Sequence, residues 1–136
     1  MYKKILVPLA LGHGISEQTL GVARKIAAAD GEIVALHVFE VPSGSVSTYI
    51  GKDVVDSGFQ KAKALLDQKT KHLDGVKAEI IRGHAHRAIV EHATTHGFDC
   101  IVIGSHKPGL SDYYLGSTAA RVVRHAPCAV HVHRDA

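Results

Sequence analysis

The 136-residue chain carries 16 Lys and Arg against 13 Asp and Glu, a formal net charge of +3, with 46% hydrophobic residues, 13 Gly, 4 Pro and only 2 Cys. That length suits a single domain spanning 1–136 with a core that needs no staples, and the composition excludes disordered, collagen-like and disulfide-framed chains. The basic residues are dispersed and no aromatics interleave them, so nucleic acid is not an expected partner; the apolar run in MYKKILVPL is too short for a signal-peptide core or a membrane span, so no membrane partner and a cytoplasmic location are expected.

KILVPLA, residues 4–10, is a short apolar run without helical period and predicts a first strand. After the turn-like GHG, a helix is expected from Ile15-Ser16 to Asp30-Gly31. Ser16 would be its N-cap, Ile15 and Leu20 its hydrophobic staple, Leu20, Ala23, Ile26 and Ala27 its stripe, and Gly31 its stop. EIVALHVF, residues 32–39, predicts the second strand. Residues 40–51 hold turn formers, and a longer helix follows from Asp53 to about His72 with Ala62, Leu65, Leu66 and Lys69 on one side.

VKAEIIRG, residues 76–83, alternates Val76, Ala78 and Ile80 with Lys77 and Glu79, the pattern of a strand near a sheet edge. A helix from about His84 to His96 gathers Ala85, Ala88, Ile89 and His92. DCIVIG, residues 99–104, is the continuous apolar run of a central parallel strand buried on both faces. Ser117 to His125 reads as a helix with Ala120, Val123 and Arg124 in register, ended by Ala126-Pro127, and CAVHVH closes the chain as a fifth strand. The order βαβαβαβαβ predicts an α/β fold: a five-stranded open parallel sheet, Rossmann-like, with helices on both faces.

Ligands of such sheets sit beyond the carboxyl ends of the strands, where GSHKPGLSDYYLGST occupies residues 104–118. Gly104, Gly109 and Gly116 permit close backbone approach, while Ser117 and Thr118 stand at the start of the last helix, whose free N–H groups and dipole suit a phosphate. The alternative is a plain surface loop in which Ser117 is only a helix cap. No GxxxxGK[ST] or GxGxxG follows the first strand, so neither a P-loop NTPase nor a dinucleotide enzyme is supported.

His106 with Ser105, Ser111 and Asp112 raises a Ser-His-Asp hydrolase, but the GxSxG elbow is missing and a loop hydrogen bond is the role expected of His106. The pairs His92/His96 and His131/His133 lack a Cys or carboxylate at a recognised ligand spacing, so no metal site is expected, and no catalytic residue is assigned. His131 and His133 instead suggest titratable groups at a strand-mediated dimer contact. Cys100 and Cys128 read as buried thiols.

The segment GSHKPGLSDYYLGSTAARVVRHAPCAVHV, with KKILVPLA and ALHVFEVP, resembles the universal stress protein family over nearly the whole chain. The resemblance implies strand order 3-2-1-4-5, a dimer, and ATP or AMP, with or without Mg, in the crevice. The apolar fifth strand, an exposed edge otherwise, would carry the homodimer contact.

Matched by position, Gly104, Gly116 and Ser117 would contact phosphates, with Ser105, His106 and Thr118 beside them. Lys107 stands where the family usually has its second glycine, the interval to Gly116 is one residue short, and Pro108-Gly109 reshapes the loop. In Pro8-Leu9-Ala10, Ala10 replaces the usual Asp at the adenosine end. The Val38 backbone matches the position that meets adenine, and Arg82-Gly83-His84 the loop near the ribose. The function implied is an adenine-nucleotide-binding stress-response protein, a nucleotide-dependent regulatory module with at most slow ATP hydrolysis, since no Walker lysine, acidic metal ligand or positioned base is evident. The alternative is a homodimeric interaction module that has lost nucleotide binding, with Ala10 as its mark. Either reading leaves room for an unidentified protein partner.

Overall fold

The computed structural model describes residues 1–11, 17–41, 51–105 and 115–134. Among these, five strands, β1 Tyr2–Pro8, β2 Ala27–Glu40, β3 Val76–Gly83, β4 Cys100–Gly104 and β5 Ala129–His133, alternate with four helices, α1 Glu17–Ile26, α2 Lys52–Thr70, α3 Ala85–His96 and α4 Ser117–His125. The strands form one parallel sheet in the order β3-β2-β1-β4-β5. The chain winds from β1 outward to β3, then returns to the other side of β1 for β4 and β5. The order therefore reverses between β1 and β4, where connections to opposite faces leave a crevice beyond the strands' carboxyl ends.

Burial on both faces explains the near-continuous apolar runs of the inner strands. Leu6, Val34, Leu36, Ile101 and Ile103 pack with Ile89 and Ala93 of α3 and Ala119 and Val122 of α4. On the opposite face Ile5, Val7, Ile33, Cys100 and Val102 pack with Leu20 and Ala23 of α1. β1 is the middle strand and β4 lies beside it. β3, half-buried along most of its length, is the edge that its alternation predicts.

Three expectations are corrected. Helix α1 ends at Ile26, because Ala27 pairs with Tyr2 before the register slips and Lys4 meets Glu32. Gly31 is thus no helix stop. A Cβ there would stand 2.9 Å from the Ala28 carbonyl oxygen and 3.0 Å from that of Tyr2, so close backbone approach is what requires glycine. In α4 the buried residues are Ala119 and Val122, while Ala120, Val123 and Arg124 are exposed. Apolar residues fill two overlapping stripes there, and only docking on the sheet selects one. Leu65 of α2 is likewise exposed, and Leu66 alone takes the buried place expected of the pair.

The amino end of the sheet is tied by Asp99, in the turn before β4. Its carboxylate accepts the Lys3 N–H at 2.8 Å and the Lys4 N–H at 2.9 Å, and its own N–H donates to the Lys4 carbonyl at 3.0 Å. Burial pushes this carboxyl up, but the N–H groups of Lys3 and Lys4 outweigh burial and hold it below the ordinary aspartate value. The Lys4 ammonium then lies over the Phe98 ring, 4.6 Å from its centroid, and donates to the His96 carbonyl at 2.6 Å. Gly97 ends α3 in the left-handed conformation at φ 71°, ψ 36°.

Candidate functional site

At the carboxyl end of the sheet, β1 stops at Pro8, opposite Leu36 of β2. The Leu9 N–H donates to the Leu36 carbonyl at 2.9 Å. His37 Nδ1 lies 3.1 Å from the Leu9 carbonyl oxygen, and the Lys69 ammonium of α2 donates to the Leu11 carbonyl at 2.9 Å. The main chain around Ala10 is thereby held to β2 and α2, while Ala10 itself is exposed and offers no polar side-chain atom. Val38 pairs with Ile81 and, with Ile81 and Leu115, packs against the core under α3 and α4.

Gly83 ends the edge strand at φ 154°, and a Cβ there would stand 3.2 Å from that of Ala88. Both observations favour glycine where β3 turns into α3. Gly104 is exposed, and a Cβ added to it would meet no described atom within 4 Å. Among the described residues, nothing packs where a Gly104 side chain would begin. Next to it Ser105 is buried, its N–H donating to the His133 carbonyl at 3.0 Å and its carbonyl accepting the Gly116 N–H. The chain thus leaves and re-enters this region at one point, bringing Gly104 and Ser105 to the start of α4.

Gly116, rather than Ser117, holds the N-cap position of α4, and no side chain caps it. The first helical bond runs from the Ala120 N–H to the Gly116 carbonyl at 2.9 Å, so the N–H groups of Ser117, Thr118 and Ala119 precede any intrahelical acceptor. The other helix starts differ. Glu17 lies in the first turn of α1 and Asp53 in that of α2, and Ala85 at the start of α3 donates its N–H to Glu40 Oε1 at 3.2 Å. Among the described residues, α4 alone has no carboxylate at its positive end, the end of a helix that favours an anion.

Of the sequence-derived site residues, the structure brings together Gly104, Ser105, Gly116, Ser117 and Thr118. It places Pro8, Ala10 and Val38 at the ends of β1 and β2 and Gly83 two strands away from β1. His106, Lys107 and Gly109 lie outside the described residues, as do Ser111, Asp112, Tyr113 and Tyr114 and the α1 cap and staple residues Ser16 and Ile15. Sequence reasoning missed Glu40, His37 and Lys69, whose roles come from segments remote in the chain and leave no local pattern.

Elsewhere, His92 Nε2 lies 2.8 Å from Glu79 Oε2, its ring centroid 4.4 Å from that of His96, and the His131 and His133 rings stack at 6.4 Å. Among the described residues no group of three or more His, Cys, Asp or Glu is arranged to hold a metal, and no helix is long and apolar enough to cross a membrane. Burial pushes the Cys100 thiol up to about 11 and raises that of Cys128 as well, so both stay protonated at neutral pH.

A sequence profile of the universal stress protein family matches residues 1–134. Universal stress protein A homolog 2 of Coxiella burnetii is 32% identical over 135 residues, covering 95% of this chain and 92% of that one. Among solved structures, the universal stress protein UspA from Lactobacillus plantarum superposes with a TM-score of 0.74 at 26% identity, covering 98% of each chain. A family protein from Arabidopsis thaliana with AMP bound shares the fold at 18% identity, with a TM-score of 0.62 and coverage of 98% of this chain and 92% of that one.

Proposed function

The chain belongs to the universal stress protein family, and on that premise we propose that it is a regulatory module that binds AMP or ATP in the crevice between β1 and β4. The observation that carries this reading is the start of α4: a glycine N-cap, three N–H groups without intrahelical acceptors, and, among the described residues, no carboxylate in its first turn and nothing packed against Gly104. A phosphate there accepts N–H groups and meets the positive end of the helix dipole. Magnesium, where present, neutralises the remaining phosphate charge. The adenosine end lies towards Val38, and the ties from His37 and Lys69 hold the main chain around Ala10 in place without a carboxylate at that position. AMP bound to the Arabidopsis protein of the same fold supports this choice of ligand class. Hydrolysis is slow or nil, and nucleotide acts by changing what the protein binds.

Calorimetric titration of nucleotide-free protein with AMP and Mg-ATP tests the reading, repeated on a Gly116→Val/Ser117→Val double variant. Saturable heat that disappears in the variant is expected. No heat and no melting shift with either nucleotide would overturn it and favour the second reading, which Ala10 motivates: an interaction module that has lost nucleotide. Both readings include a homodimer through β5, whose outer edge pairs with no described strand. Ala129 and His131 are exposed on it. Sedimentation at about pH 6 and about pH 8 reads both the dimer and its dependence on the histidines; a monomer at both values would remove this contact.

A further inference from the structure

The last strand has two unlike faces. Along residues 128–133 the side chains alternate. Cys128, Val130 and Val132 pack against the core under α3 and α4, whereas Ala129, His131 and His133 fall on the opposite face of the sheet. Among the described residues nothing from β5 joins the core under α1, and on that face His131 is exposed and His133 half-buried. The two imidazole rings stack there, their centroids 6.4 Å apart and their planes 19° from parallel.

The main chain of the same strand sets what a second copy would meet. The His133 carbonyl accepts the Ser105 N–H at 3.0 Å, and His131 and His133 stand in register with Val102 and Gly104 of β4. Successive residues of a strand turn their N–H and C=O groups to alternate sides. Residues 131 and 133 therefore direct theirs at β4, and Val130 and Val132 direct theirs out from the sheet edge. Two copies pairing antiparallel about a twofold axis at Val132 exchange both Val132 bonds, and His131 of each chain then lies opposite His133 of the other copy. These are closely spaced positions without hydrogen bonds between them, with Cα atoms about 4.5 Å apart across the strands and about 7 Å apart along each. Four imidazoles thus surround one point on the axis.

We propose that His131 and His133 from two copies of the chain bind one divalent transition ion of the zinc class on the axis of a β5 homodimer. The inference rests on the β5 dimer of the preceding reading and is independent of nucleotide. A tetrahedral ion takes four ligands, with imidazole nitrogens at about 2.0–2.1 Å. One chain supplies two, and among the described residues no third His, Cys, Asp or Glu completes a site within it. The second copy provides the missing pair, so the site is whole only in the dimer. An all-imidazole set suits zinc, nickel or copper and offers magnesium or calcium no oxygen ligand. A pairing centred on His131 would instead set His133 opposite Ala129 and bring only two imidazoles face to face, so the ion also selects the Val132-centred register.

The test is calorimetric titration of the 136-residue chain with Zn(II), sedimentation with and without it, and Co(II) as an absorbance probe of ligand geometry. The expected result is one ion per two chains, the intense visible bands of tetrahedral cobalt, and a dimer dissociation constant lowered about tenfold at free Zn(II) ten times its own dissociation constant. Mg(II) at the same concentration should change nothing. His131→Ala, at an exposed position, and His133→Ala should each abolish the zinc-dependent shift, with folding of both checked by thermal melting, while the exposed control His72→Ala just after α2 should retain it. Binding of one or more ions per chain without change in sedimentation would overturn the proposal. So would an equal loss in His72→Ala, or a dimer that binds no Zn(II), which would leave the β5 contact standing. A monomer with and without Zn(II) would remove the ion site and the dimer together.

Discussion

The two ends of one sheet both tie their main chain with side chains, and they differ at one helix start. At the amino end, the Asp99 carboxylate takes the N–H groups of Lys3 and Lys4, the Lys4 ammonium caps the last turn of α3, and Arg24 reaches the Asp74 carbonyl at 3.1 Å. Side chains there satisfy the main chain. At the carboxyl end, His37, Lys69 and Glu40 do the same for Leu9, Leu11 and Ala85, but the start of α4 has a glycine cap with no capping side chain among the described residues, and Gly104 and Ala10 contribute no polar side-chain atoms. The difference is confined to the start of α4, where, among the described residues, main-chain donors meet no capping side chain.

Substitutions at the two ends should therefore separate binding from stability. The largest effect is expected from Gly116→Val/Ser117→Val, which should weaken AMP at least about a hundredfold by blocking close approach to the N–H groups, while the melting temperature moves little. Next, Asp99→Ala should cost about 2 kcal/mol in urea unfolding, for two bonds from backbone N–H groups to a charged acceptor, and leave nucleotide affinity unchanged. A loss of affinity of similar size would show that the two ends are coupled. Because the folded Asp99 carboxyl is held below its unfolded value, its contribution is complete above about pH 4 and is lost as pH falls through the lower, folded value. The acid limb of a stability-pH curve should be correspondingly flatter in Asp99→Asn.

A smaller effect is expected from Ala10→Asp, which returns a carboxylate to the adenosine end and should tighten AMP about tenfold, as one charge-assisted hydrogen bond does. Unchanged calorimetric affinity would place the ligand away from β1. The smallest is Lys4→Met, which should cost about 0.5 kcal/mol because the ammonium is exposed, read as a shift in the urea midpoint without change in slope.

The spans of β3 and α4 are legible to the residue, because an alternation over Val76–Gly83 and an apolar helical period over Ser117–His125 are local properties of the chain. The glycine-rich segment and its helix start are legible for the same reason. The burial phase of α4 is not, because Ala119-Ala120 and Val122-Val123 offer two neighbouring stripes of equal composition, and contact with α3 and the sheet decides between them. Gly31 was legible as a glycine with a purpose, but its purpose depends on the Tyr2 carbonyl across the sheet.

What the sequence by itself determined is the kind and order of the elements, and with them a parallel α/β sheet with a candidate anion site at the start of its last helix. Only the tertiary structure decided which carboxylates meet which N–H groups. Asp99 binds Lys4 across 95 positions of sequence and Glu40 reaches Ala85 across 45, so which distant acid meets which helix start was knowable only after folding. The physical reason is range: hydrophobic period and turn chemistry act over a few residues, whereas the pairing of charged groups with the main chain depends on which distant segments the packed sheet brings together.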